Sequence, residues 1–132
     1  MKFSTTAQSA LALSKNYAEE FKSRYAGTEH LLLGLIESDD VFLEQTFNQL
    51  KVDVNHLKDV VTSILDIEEN NKLFKPDKSP NFTPRVFRII DFAKNLAQKL
   101  NKQTVDVIHL FLSLLYENDG VATSILTEYG LN

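Results

Sequence analysis

Two histidines stand at matched places in this chain. His30 and His109 lie 79 positions apart (109 − 30 = 79), and each opens a strongly apolar stretch. Imidazoles are common zinc ligands, but a helical zinc pair needs its second ligand one turn on. Three and four residues after His30 stand Leu33 and Gly34. The reading that remains is structural: each ring bonds near the N-terminus of its helix. His56 belongs to no pattern. Nucleophilic hydrolysis would need a G-x-S-x-G elbow, and the chain has none. Nor does it have the G-x-x-x-x-G-K-[ST] phosphate loop, its four glycines being scattered at 27, 34, 120 and 130. The acidic pairs Glu19-Glu20 and Glu68-Glu69 read as solvated surface, and Lys72, Lys75 and Lys78 as solubilising charge. With no cysteine, thiolate metal sites and disulfides are excluded. These residues point to a protein without catalysis, cofactor or metal.

The elements that must position them come in duplicate. At the same offset of 79, Phe3 falls on Phe82, Lys15 on Lys94, Ala18 on Ala97, Leu31 on Leu110 and Leu35 on Leu114, with no gap. So long a period exceeds that of solenoid repeats and signals a duplicated helical unit with a pseudo-two-fold relation. Ser4 is placed to cap a first helix, whose stripe is Ala7, Ala10, Leu11, Ser14, Ala18 and Phe21. A second helix, about Thr28–Glu37, is apolar nearly all round and should be buried. A third directs Leu43, Phe47 and Leu50 inward. Asp53 caps a fourth, with Leu57, Val60, Val61, Ile64 and Leu65 on its buried face. Thr83-Pro84 restarts the cycle, proline costing nothing at a first helical position. Val86, Phe87, Ile90, Ala93, Ala97 and Leu100 line that helix. The next, about Val107–Tyr116, is as apolar as its counterpart, so Leu112 should be as buried as Leu33. The last ends near Tyr129-Gly130.

The expected fold class is therefore all-α, a pseudo-two-fold duplicated four-helix repeat. Repeat one covers 3–68, a polar linker 69–81, and repeat two 82–132, with the last helix of repeat two expected to be missing. The 132 residues amount to one domain, and 43% hydrophobic with 24% charged residues is globular composition. A net charge of −4 disfavours general binding of nucleic acid or anionic membrane. The N-terminus Met1-Lys2-Phe3-Ser4 carries no apolar signal core, and no apolar run nears the ~20 residues that span a bilayer.

Three blocks carry a family resemblance. Ala26-Gly27-Thr28-Glu29-His30-Leu31-Leu32-Leu33-Gly34-Leu35-Ile36 resembles the G-T-E-H-[IL]-L-L-G-L signature of the N-terminal domain of Clp/Hsp100 AAA+ unfoldases. Phe82-Thr83-Pro84-Arg85 resembles the Y-T-P-R opening of its second repeat. Glu117-Asn118-Asp119-Gly120-Val121-Ala122 through Leu131 resembles its E-x-E-G-V-A ending. The chain is most similar to the ClpC-type branch.

The resemblance implies a cytoplasmic, monomeric helical domain that caps an unfoldase ring, binds protein substrates and adaptor proteins, and works with AAA+ modules and a Clp peptidase. An alternative is a free-standing accessory factor that docks on a Clp protease complex. The resemblance also implies phosphoarginine recognition at two equivalent pockets. A glutamate holds the guanidinium there, and the start of a repeat's first helix holds the phosphate. Carried over by position, the first pocket would hold Glu29, with Ser4 at the family's threonine and Lys2 at the preceding basic place. The second would hold Thr83 and Arg85, with Ile108 in place of its glutamate. Glu29 also suits a helix first turn simply as an acid favoured by the dipole, and it can do both. Val41 and Lys51 replace family glycines, which alters the loops around the third helix.

Overall fold

The computed structural model describes residues 1–70, 80–117 and 120–131. Among them are seven α-helices and four two-residue strands. In chain order these are β1 (Lys2–Phe3), α1 (Thr5–Glu20), β2 (Tyr25–Ala26), α2 (Thr28–Glu37), α3 (Val41–Gln49), α4 (Val54–Asn70), β3 (Asn81–Phe82), α5 (Pro84–Lys99), β4 (Thr104–Val105), α6 (Val107–Tyr116) and α7 (Val121–Glu128). The fold is all-α. Most of the segment read as a linker, residues 71–79, lies outside the described residues. The lysine run at 72, 75 and 78 lies there too, as do Asn118 and Asp119. Of that segment's flanks, α4 runs on through Asn70 and Asn81 enters β3.

Local chemistry sets the helix ends. Ser4 Oγ accepts the Ala7 N–H at 3.1 Å, and Thr83 Oγ1 accepts the Val86 N–H at 3.2 Å, satisfying first-turn donors that have no partner in the helix. Asp40 caps α3 through Leu43 N–H, and Asp53 caps α4 through His56 N–H. At the other ends, α1, α3, α5 and α7 close with paired Schellman bonds, such as Ser23 N–H to Ala18 O and Lys22 N–H to Glu19 O.

The strands tie the repeats together crosswise. β1 pairs in parallel with β4, Lys2 opposite Thr104, and β2 pairs in parallel with β3, Tyr25 opposite Asn81. The offset of 79 converts one pair into the other, so each repeat contributes one strand to each pair. Helices cross as well: α3 packs on α6 and α7 on α2. Phe47 of α3 meets Phe111 of α6 edge-on, ring centroids 5.3 Å apart. The buried core runs continuously through both repeats.

In α2 every residue from Thr28 to Leu35 is buried. Its counterpart α6 differs: Leu33 is 0% exposed, whereas Leu112 is 44% exposed, contrary to the expectation that they match. Leu33 lies one turn before Glu37, which pairs with Lys58 of α4. That face of α2 meets α4, and among the described residues no helix stands in the same place on α6. Leu50, Phe87 and Leu100, read as inward-facing, are exposed. Leu50 and Leu100 are C-cap residues, where the helical periodicity stops. Phe87 sits beside the buried Val86–Ile90 stripe and instead packs edge-on against Phe82.

Candidate functional site

The crosswise strand pairing decides which candidate residues meet. Where β2 runs beside β3, the Gly27-Thr28-Glu29 segment continues alongside the Thr83-Pro84-Arg85 helix start, and Thr83 N–H donates to Ala26 O at 3.0 Å. A crevice of about 330 Å³ opens there, lined by Gly27, Thr28, Glu29, Thr83, Pro84, Arg85, Arg88 and Val121. Glu29 thus joins Thr83 and Arg85, the half-set carried by the other repeat.

Ser4 and Lys2 lie at the opposite pairing. There β1 runs beside β4, and Ser4 N–H donates to Val105 O at 3.0 Å. The structure therefore does not pair Ser4 with Glu29. It groups Lys2 and Ser4 with the strand that leads to Ile108, the residue equivalent to Glu29 (29 + 79 = 108). The residues of repeat one equivalent to Arg85 and Arg88 are Thr6 and Ser9 (85 − 79 = 6; 88 − 79 = 9). The crevice at the β2–β3 pairing holds the carboxylate and both arginines, and the equivalent positions at the β1–β4 pairing hold Ile108, Thr6 and Ser9.

Each wall of the intact crevice has a local cause. The Glu29 carboxylate folds back over Gly27: a Cβ there would stand 2.2 Å from Glu29 Oε1, so any larger residue would push the carboxylate out of this position. Glu29 is buried in the first turn of α2, where the helix dipole favours an acid. It also lies 3.7 Å from His30 Nδ1. Across from it, the start of α5 has few spent donors. Pro84 has no N–H, the Val86 N–H is held by Thr83, and the Arg85 N–H remains. Arg85 is half-buried, and its Nε is buried without a hydrogen-bond partner among the described residues. Arg88 follows one turn later on the same face and is exposed. A single carboxylate thus opposes two guanidinium groups and the positive end of a helix. That arrangement can bind a ligand with a cationic part at Glu29 and an anionic part at α5.

The histidines act as helix-start acceptors. His30 Nδ1 accepts the Gly27 N–H at 3.0 Å and its Nε2 contacts Ser23 Oγ at 3.0 Å. Acceptance at Nδ1 assigns the ring proton to Nε2. His109 Nδ1 accepts the Asp106 N–H at 2.9 Å in the same geometry. His56 lies on the surface, its Nδ1 2.5 Å from Tyr129 Oη.

A family profile described as the Clp repeat (R) N-terminal domain matches residues 2–131. The chain belongs to this family. Among curated relatives, the Clp N-domain is 28% identical over 131 residues to the chaperone protein ClpB of Oceanobacillus iheyensis, covering 99% of this chain and 16% of that protein. It is 32% identical over 130 residues to the ClpC ATP-binding subunit of the ATP-dependent Clp protease of Staphylococcus epidermidis, covering 96% of this chain and 15% of that one. The chain thus spans about a sixth of the length of these relatives. Among solved structures, the Hsp104 N-terminal domain of Candida albicans superposes with a TM-score of 0.82 at 17% identity, covering 100% of this chain and 84% of that one. The N-terminal domain of ClpD from Arabidopsis thaliana gives 0.75 at 24% identity, covering 99% and 86%. These likenesses show the fold.

Five crevice residues of this Clp N-domain were absent from the sequence-based set: Gly27, Thr28, Pro84, Arg88 and Val121. Arg88 was within reach of sequence reasoning, since three residues after Arg85 is the same helix face. Val121 carried no such signal, because it arrives from α7 through tertiary packing.

Proposed function

We propose that this Clp N-domain recruits protein substrates or adaptors for a Clp AAA+ unfoldase in the cytoplasm, does no catalysis itself, and reads phosphoarginine at one site. In the full-length context its partners would be AAA+ modules and a Clp peptidase. The observation that supports the reading is the opposition of Glu29 to Arg85, Arg88 and the α5 start across one crevice. Phosphoarginine carries a cationic guanidinium directly bonded to a dianionic phosphoryl group, so it needs both kinds of partner within one side chain's length. Glu29 would fork onto the guanidinium, and the Arg85 N–H with the two arginines would take the phosphoryl oxygens. Lys2 and Ser4, at the counterpart without Glu29 or the arginines, would take no part.

Calorimetric titration with free phosphoarginine tests this. One equivalent should bind, and Glu29→Ala should abolish the heat. Two equivalents in the unmodified chain, or binding indifferent to Glu29→Ala, would refute the site.

A further inference from the structure

We draw no further inference here: the strongest candidate, the apolar face of α5 and α6 where Phe92 stacks on Tyr116 beside the exposed Leu112, carries none because nothing among the described residues shows what covers it.

Discussion

Lys51 and Gly130, 79 positions apart (130 − 51 = 79), close the third helix of their repeats in the same left-handed conformation, with φ of 58° and 81°. Both helices then make the same pair of closing bonds, Val52 N–H to Phe47 O and Leu131 N–H to Leu126 O, and Val52 and Leu131 are equally buried. The repeat with glycine adopts the turn without strain. The repeat with lysine does not, because Cβ crowds the following carbonyl at a cost of about 1–2 kcal/mol. Lys51→Gly should therefore stabilise the domain by roughly 0.5–1 kcal/mol, the relief exceeding the ~0.5–1 kcal/mol of extra unfolded-state entropy that glycine carries. Gly130→Lys should destabilise it by a similar amount. Urea melts read both as midpoint shifts at constant slope. A lower midpoint for Lys51→Gly would show that the lysine side chain contributes more than the turn costs.

Leu33 and Leu112 should no longer be treated as equals. Leu33→Ala removes a fully buried side chain from α2 and should cost ~2–5 kcal/mol. Leu112→Ala trims a side chain already 44% exposed and should cost under ~1 kcal/mol. Equal costs would mean that Leu112 is covered in solution.

This pair also shows what the sequence could carry. Helix ends, caps and the histidine acceptors depend on residues within four or five positions, and Ser4, Thr83, Asp53, His30 and His109 do what their local chemistry implies. Periodicity identified Leu112 as apolar, but what covers an apolar face is a tertiary fact. The same limit explains the pockets. Ser4 and Glu29 share a repeat in sequence, yet the two-residue strands that set their neighbours pair across the duplication, Lys2 with Thr104 and Tyr25 with Asn81. Strands so short leave little periodic trace, so the exchange of helix starts was not legible.

Alkali should loosen the junction of α1, α2 and α4. The Lys58 ammonium has its pKa raised above 10.5, chiefly by its hydrogen bond to Glu37. The Tyr17 phenol is raised above 10.0, first by burial and then by the Glu37 charge. In both cases the folded state holds its proton more tightly than the unfolded chain does. Their contribution is thus complete below pH 10.0 for Tyr17 and 10.5 for Lys58, and is lost as pH rises through the higher folded values. The ion pair is about one-third exposed on each side, so its share is no more than ~1 kcal/mol. Lys58→Met should lower the urea midpoint slightly at pH 7, and the difference from the unmodified chain should vanish in strong alkali. A difference that grows with pH would reverse the sign and refute the assignment.

The counterpart crevice offers the strictest test of the crosswise site. If Glu29 worked with the helix start of its own repeat, the second pocket would hold Thr83 and Arg85 and lack only its glutamate, and Ile108→Glu alone would add a second equivalent of phosphoarginine. With the strands exchanged, Ile108 faces a helix start that has Thr6 and Ser9 where the intact crevice has Arg85 and Arg88. Ile108→Glu then supplies a guanidinium partner with no arginine for the phosphoryl group, while its own carboxylate repels that group. The single substitution should leave the stoichiometry at one. Combining Ile108→Glu with Thr6→Arg and Ser9→Arg should raise it to two. Lys2 remains beside this start and contributes a point charge, which lacks the fork by which arginine grips a phosphoryl group. Calorimetry on the single and triple variants separates the two arrangements, and a second equivalent from Ile108→Glu alone would show that the pockets lie within the repeats after all.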